Sequence, residues 1–192
     1  EVDGVFHAAK GMLDEYPFTN AEARASYADG RITAQSLAAD IFGGHVAAEG
    51  EFAPASMSFD GHAVLTDLDA AQAEAFLPGV AGRVSADLGF AGNANDLLQS
   101  SVYGSVLAHG LSYLDIAAPE LSASFFHAAG DTTVDYLSLH LENGGELGVE
   151  GKIEGLETLD LAYYATHVDL GLLARIDPVL DMDGFADAHG IV

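Results

Sequence analysis

The sequence predicts an all-β fold, a mostly antiparallel sheet built from repeats roughly a hundred residues long. Apolar and polar residues alternate strictly in short runs such as 84–90, which is the period of a strand with one apolar face. Turn signals such as Gly43-Gly44 separate these runs and suit the positive φ angles of tight hairpins. A ten-residue segment also recurs at a fixed offset, which is typical of an array of repeated units.

The alternating runs are the predicted strands. In chain order they cover residues 57–65, 84–90, 114–118, 137–141, 147–153 and 159–165. Ser, Asp, Glu, His, Thr and Gly occupy the positions between the apolar residues. We therefore predict strands that place apolar side chains on one face of the sheet and polar side chains on the other.

Helical patterning is confined to short segments. Residues 70–77 contain good helix formers and end at a proline, and residues 170–176 form their counterpart. Asp69 and Asp169 are placed to cap these two segments. Residues 95–99 are a candidate for one further helical turn. The sequence thus predicts one or two short helical excursions from the sheet.

The repeat is clearest in the segment 43–52, which recurs as 144–153 at an offset of 144 − 43 = 101 residues. Both copies read as a turn, then apolar residues at alternate positions, then Glu-Gly and a further apolar residue. Farther along the chain, Asp67 matches Asp169 at an offset of 102. Slips of one or two residues are expected where strands are constant and turns vary.

The chain is predicted to be one continuous module over residues 1–192. The internal repeat covers about 30–92 and 131–192, and no low-complexity linker divides the two copies. Both ends of the sequence lie in strand-like patterning, and the first residue is Glu1 rather than Met. We therefore expect the chain to be an excised piece of a longer protein.

Composition excludes several classes of function. Six basic residues stand against 30 acidic ones, for a net charge of −24, yet 49% of residues are hydrophobic. Such a chain is too apolar to be disordered, so carboxylates and apolar side chains must lie on different surfaces. Without clustered Lys or Arg, binding to nucleic acid or to anionic lipid headgroups is not expected. The chain has no Cys and no apolar run as long as the roughly 18–20 residues of a membrane helix.

No motif predicts a reaction, a metal or a cofactor. The eight histidines never form a helical i, i+4 pair, and His45, His140 and His167 read as polar residues on a solvated strand face. Residues 181–184 are similar to part of an EF-hand loop but lack its first and last ligands. The surrounding carboxylates, which read better as a solvated acidic edge, are Asp177, Asp181, Asp183 and Asp187. Nucleophile motifs are also missing, so we predict that the chain is not an enzyme.

The apolar stripe is the remaining candidate site, and the residues alone leave two interpretations open. In one, two sheets pack their apolar faces together as the core of a sandwich. In the other, a long sheet of repeated units curls without closing and leaves an apolar groove. An exposed surface of that size requires a ligand, and an acyl chain is the natural one for a long apolar channel.

The pattern resembles the repeat-rich region of the TamB and AsmA-like envelope proteins, within the wider group of bridge-like lipid-transfer proteins. The similarity lies in the glycine-led turns of 43–52 and 144–153, and in the excursions of 67–78 and 169–178 that end in proline. The glycine-led strands after these excursions complete the resemblance, which covers nearly the whole chain.

The resemblance implies an elongated, curved sheet with an apolar interior, called a β-taco. It also implies a place in the periplasm or cell envelope of a diderm bacterium, anchored through a region outside this chain. The partners it implies are phospholipid acyl chains in transit between the inner and outer membranes. An outer-membrane β-barrel assembly partner is a further implied partner.

On this basis we expect an open hydrophobic groove that carries lipid without catalysis. The predicted lining residues are Met57, Phe59, Val84, Leu88, Phe90, Leu139, Leu147, Val149, Ile153, Leu159, Leu161 and Tyr163. The first rival is a surface adhesin or structural β-repeat that binds protein or glycan through its exterior. The second is a cradle that pairs its sheet edges with unfolded outer-membrane strands.

Overall fold

A computed structural model of the chain describes residues 2–75, 77–113, 116–155, 158–172 and 184–192. Its strands are β1 (Val2–Leu13), β2 (Tyr16–Ala28), β3 (Arg31–Ile41), β4 (Gly44–Ala53), β5 (Ser58–Asp69), β6 (Val80–Asn93), β7 (Asp96–Tyr113), β8 (Ile116–Ala128), β9 (Asp131–His140), β10 (Glu146–Glu154), β11 (Thr158–Asp169) and β12 (Phe185–Ile191). Leu114, most of the predicted helix at 170–176 and the carboxylates at 177, 181 and 183 lie outside the described residues.

The strands form one antiparallel meander. Each strand pairs with its neighbour in the chain, so the order in the sheet is β1 to β12 without a crossover. β1 and β12 are the two edges and do not pair with each other, so the sheet is open. The predicted all-β, antiparallel and unclosed fold is confirmed.

In the described residues the helical content is smaller than predicted. Among the described residues of the segment 70–77, Ala70–Ala73 form a 3₁₀ turn, and the Asp69 carboxylate caps it by accepting a hydrogen bond from the N–H of Ala71. Gly171 and Leu172 are helical in the counterpart segment. The helical turn proposed at 95–99 is wrong, because Asp96 pairs with Asn93 across a tight turn and opens β7. Hairpin pairing there overrides a weak local preference for helix.

The register gives the sheet two faces of opposite character. Residues paired across antiparallel strands lie on the same face. One row crosses eight strands through Leu68, Val84, Ala108, Leu121, Leu139, Leu147, Ala165 and Ala188. We call the side that carries this row the apolar face.

The neighbouring row lies on the opposite side, which we call the polar face. It runs through Arg83, His109, Glu120, His140, Glu146 and Thr166. Every Asp or Glu that has a cross-strand partner in the described register lies on this polar face. Charge and apolar surface are therefore separated by the thickness of a single sheet.

The apolar face has no second layer over it in the described part of the chain. The buried hydrophobic residues there are Ala70, Ala73, Ala108, Ala118 and Leu141. The molecule exposes 11,908 Å². A compact monomer of 19.9 kDa would expose about 8,700 Å². The described strands therefore enclose no closed core, and the sandwich interpretation does not fit them.

Backbone irregularities recur at intervals of 100 residues. The β2–β3 turn places Asp29 at φ 51°, and the β8–β9 turn places Ala129 at φ 54°. The β5–β6 register shifts between Leu65 and Leu68, and the β11–β12 register shifts between Ala165 and Val168. At these points strands β1–β6 correspond to strands β7–β12.

The two bulges correspond in detail. Each contains one residue with positive φ, Asp67 at 59° and His167 at 51°. The N–H of Asp67 donates to the Ser85 hydroxyl over 3.0 Å, and the N–H of His167 donates to the Asp187 carboxylate over 2.6 Å. The structural counterpart of Asp67 is thus His167, 100 residues on, and not Asp169 as the sequence pattern suggested.

Candidate ligand-binding groove

An apolar concavity of about 520 Å³ lies on the apolar face across strands β6 to β11. We call it the groove. Its lining consists of Leu77, Val80, Val84, Val106, Ala108, Leu111, Ser112, Tyr113, Ile116, Ala118, Leu121, Leu139, Leu141, Leu147, Val168 and Leu172. Only Ser112 and Tyr113 carry a side-chain hydrogen-bonding group, so the groove offers dispersion contacts and desolvation rather than polar recognition.

Cross-strand pairing builds the floor of the groove. Ala108 is 2% exposed at its centre, between Val84 on one side and Leu121 on the other. Leu139 and Leu147 extend the same row onto β9 and β10. The small side chain at Ala108 leaves a depression, and its larger neighbours rise on both sides.

Connecting segments supply a further part of the lining. Leu77 follows the 3₁₀ turn, and its N–H donates to the Ala73 carbonyl over 3.0 Å. Leu172 follows β11, where the Asp169 carboxylate accepts from the N–H of Gly171 over 2.9 Å. The excursions that end β5 and β11 therefore contribute directly to the groove.

The structure brings together only part of the predicted lining. Val84, Leu139 and Leu147 line the groove itself. The predicted residues that share the apolar face but lie outside this concavity are Phe59, Leu88, Phe90, Val149, Ile153, Leu159, Leu161 and Tyr163. Met57 lies in the turn before β5 with φ 57° and is not part of that strand.

Sequence reasoning missed the contribution of β7 and β8. Val106, Ala108, Leu111 and Leu121 belong to strands whose alternation is interrupted by glycine and proline. Gly110 has φ 59°, and this left-handed residue changes which side chains face the groove farther along β7. A search for bulge residues within otherwise regular runs would have found these positions.

Aromatic rings cover several cross-strand glycines on the apolar face. A Cβ added at Gly61 would lie 2.7 Å from the Phe90 ring, and one added at Gly190 would lie 2.7 Å from the Tyr163 hydroxyl. The glycines leave room for these rings to lie flat across the neighbouring strand, an arrangement that protects exposed glycine backbone. Two predicted lining residues, Phe90 and Tyr163, therefore also shield the sheet.

Pairs of histidine and carboxylate mark the polar face. The His62 Nε2 lies 2.6 Å from an Asp87 oxygen, and the His45 Nδ1 lies 2.8 Å from an Asp40 oxygen. All four side chains are exposed to solvent. Exposed pairs of this kind stabilise a fold little, so they fit a solvated face rather than a reaction centre.

Two carboxylates on the polar face have shifted pKa values. Hydrogen bonds from His45 and Asn20 lower the pKa of Asp40. The Tyr164 hydroxyl, followed by that of Ser138, lowers the pKa of Glu146. Each donor favours the ionised carboxylate, so Asp40 and Glu146 keep their charge to lower pH than they would without these hydrogen bonds.

A second depression, about 450 Å³, lies over Gly50 and Gly61. Its polar lining includes Glu49, Asp60 and His62. Among the described residues, however, no group of three or more His, Asp or Glu side chains is arranged to hold a metal ion. Within that part of the chain, there is also no helix of the length and apolar character needed to span a membrane.

Comparisons with protein-family models, with curated proteins and with solved structures returned no match for this chain.

Proposed function

We propose that this chain is a non-enzymatic module whose apolar face holds phospholipid acyl chains as they pass between the two membranes of a bacterial envelope. The observation that carries the proposal is the separation of faces. One side of the sheet presents apolar rows with no layer over them in the described residues, and the other presents the carboxylates. A contiguous apolar surface that crosses several strands and stays exposed usually marks a binding surface.

The composition of the groove suits a hydrocarbon. Each methylene transferred from water to an apolar site stabilises the complex by about 0.8 kcal/mol, so ten methylenes supply about 8 kcal/mol before the cost of ordering the chain. A lining of aliphatic side chains gives similar contacts at every position along an acyl chain. Such uniformity favours sliding, since a deep specific site would trap the lipid.

Recurrent bulges support a curved sheet. An extra residue in one strand bends that strand and increases its twist. The bulges of β5 and β11 occupy corresponding positions in the two six-strand units. Repeated bending in one direction would turn a flat apolar face into the elongated trough that the resemblance to TamB and AsmA-like proteins implies.

The same resemblance supports the proposed location and partners. A periplasmic module anchored elsewhere in a longer protein would expose its polar face to water and its apolar face to lipid. The strongly acidic polar face would oppose adsorption to anionic headgroups. Lipid would then enter by its tails rather than by attraction between the sheet and a membrane surface.

Outer-membrane protein assembly is a second candidate function. In the described residues, β1 pairs only with β2 and β12 pairs only with β11. Each edge therefore presents backbone groups that an incoming client strand would satisfy. A surface adhesin receives less support, because that rival requires a dry, packed interior.

Mass spectrometry of the purified chain tests the proposal. We expect phospholipid to be recovered in organic extracts and to be seen bound in native spectra. Added β-signal peptides should not displace it. A lipid-free protein whose copies pack their apolar faces together would refute the lipid proposal, and preferential binding of the peptides would favour the assembly function.

A further inference from the structure

We propose that His127 and Thr132 bind the negatively charged headgroup of an acyl lipid whose tail extends along β8 into the groove. Both residues lie on the apolar face near the turn that joins β8 to β9. This site rests on the proposed lipid-binding function, to which it adds an orientation for the bound lipid. The headgroup lies at the β8–β9 turn and the hydrocarbon end lies near Leu121.

His127 and Thr132 interrupt a row that is otherwise apolar. The row crosses β6 to β11 and consists of Phe90, Val102, His127, Thr132, Ile153 and Leu159. Among the histidines with a cross-strand partner in the described register, His127 lies on the apolar face and the others lie on the polar face. The sheet therefore places one imidazole and its hydroxyl partner where apolar side chains surround them.

The His127 ring has one nitrogen left for a ligand. Its Nδ1 lies 2.8 Å from the Thr132 hydroxyl oxygen, and the pair is partly buried. Within the described residues, Nε2 forms no hydrogen bond. When the ring is protonated both nitrogens donate, so Thr132 accepts from Nδ1 and Nε2 is available to a headgroup oxygen. Thr132 thus orients the ring, and the ligand would complete its hydrogen bonding.

His127 also lacks the carboxylate that accompanies other histidines of the sheet. His7, His45, His62 and His109 lie on the polar face, between 2.6 and 3.8 Å from an Asp or Glu oxygen. In the part of the chain that the structure describes, no carboxylate comes as close to His127. A protonated imidazole there would take its counter-ion from a ligand, through a charge-assisted hydrogen bond.

Ser100 supplies another polar group in this corner of the apolar face. It precedes Val102, the cross-strand partner of His127, by two residues on β7. Its hydroxyl is buried and forms no hydrogen bond among the residues described. Buried hydroxyls normally have a partner, so a ligand oxygen near Ser100 would satisfy it.

The distance from His127 to the groove suits one acyl chain. The two ends are 127 − 121 = 6 residues apart on β8, a span of about 20 Å at about 3.3 Å per residue. Each leaflet of acyl chains fills half of the roughly 30 Å hydrocarbon core of a bilayer, and a straightened chain reaches farther than the resulting ~15 Å. Ala123 and Phe125 face the same side between the two ends, and Gly104 lies opposite Phe125 on β7. A chain anchored at His127 would therefore cross apolar surface and end in the groove.

The carboxylates of the polar face lie on the other side of the sheet from this site. A single headgroup at His127 also differs from a membrane surface, which would bring many anionic groups against the polar face. The site would therefore orient individual lipids without attracting the sheet to a membrane.

Titration with matched single-chain probes, kept below the concentrations at which they form micelles, tests the headgroup site. The probes are hexadecyl phosphate, hexadecanol with a tail of the same length and no charge, and inorganic phosphate with no tail. We expect hexadecyl phosphate to bind about 3- to 10-fold more tightly than hexadecanol, because its phosphate gains a hydrogen bond from His127. His127→Leu should abolish this preference. The matched control, His140→Leu on the polar face of β9, should preserve it.

The outcomes distinguish this site from the lipid-binding function. Failure of both alkyl probes to bind would overturn the two together. Equal binding of both probes to the unaltered chain, or a preference that survives His127→Leu, would overturn the headgroup site alone. Displacement of hexadecyl phosphate by equimolar inorganic phosphate would also overturn it, because the site would then bind the anion without a tail.

Photochemical labelling of the unaltered chain checks the orientation without any substitution. Hexadecyl phosphate with a diazirine at the far end of its chain should label the groove at Leu121 or Leu139, as identified by peptide mass spectrometry. An analogue with the diazirine beside the phosphate should label residues next to His127 and Thr132. Exchange of the two patterns, or equal labelling of both regions by each probe, would overturn the proposed orientation while leaving lipid binding intact.

Discussion

A charge placed in the groove should weaken lipid binding far more than the same charge placed one residue away. Leu121 lies in the groove between Ala108 and Leu139. Its neighbour Ser122 faces the opposite side, between Leu107 and Ser138. Leu121→Asp and Ser122→Asp therefore add the same charge to the same strand, but on different faces.

The expected magnitude follows from the burial of the leucine by a bound chain. Covering a Leu side chain contributes about 1.5–3 kcal/mol, which corresponds to a loss of about 10- to 150-fold in affinity when it is removed. A carboxylate that the lipid desolvates adds to this loss. In the absence of lipid, the carboxylate introduced by Leu121→Asp would remain hydrated in the open groove, so the fold should persist. For Ser122→Asp we expect less than about a tenfold change in affinity.

Titration with a fluorescent C16 fatty acid, followed by native mass spectrometry with unlabelled phospholipid, measures the difference. Far-ultraviolet circular dichroism would show whether both variants retain the sheet. Equal losses in the two variants would refute the assignment of faces. Unfolding of Leu121→Asp alone would show that the side chain belongs to a packed core and not to an open groove.

Two further predictions concern the sheet itself. Gly61→Ala places a Cβ 2.7 Å from both an aromatic ring atom and a backbone oxygen, and should lower the free energy of unfolding by about 1–3 kcal/mol in a denaturant titration. Gly4→Ala, whose nearest neighbour would be 3.9 Å away, should change it by less than about 0.5 kcal/mol. Tyr164→Phe should raise the pKa of Glu146 towards its ordinary value in carboxyl NMR titrations, whereas Tyr163→Phe on the opposite face should leave it unchanged. Because the pKa of Glu146 is lowered in the folded chain, the ionised carboxylate stabilises the fold above the ordinary glutamate pKa. This stabilisation is lost as pH falls through the lowered value. Tyr164→Phe should therefore weaken the dependence of folding stability on pH in this range.

Part of the site was predictable because face assignment is local. The runs 84–90 and 147–153 alternate with a period of two, so Val84, Leu147 and Val149 could be placed on one face before any strand partner was known. The excess of carboxylates over basic residues in an apolar chain also required a polar face. Neither inference depends on contacts between distant residues.

Other parts of the apolar face depended on irregular backbone. Leu68 and Val168 return to the apolar face only because a bulge residue precedes each of them. The pattern of alternation by itself assigns such residues to the wrong side, since one extra residue reverses the phase. Leu77 and Leu172 were missed for a related reason. They lie on connecting segments, where apolar and polar residues do not alternate as they do in a strand.

The sequence by itself determined that this chain forms strands, that each strand has one apolar and one polar face, and that the pattern occurs twice. These properties follow from side-chain direction within a few residues. Only the tertiary structure decided that the strands form a single open layer, which side chains meet in the groove, and where the bulges reset the register. Those outcomes depend on pairing between strands, and pairing energies are set by residues far apart in the chain.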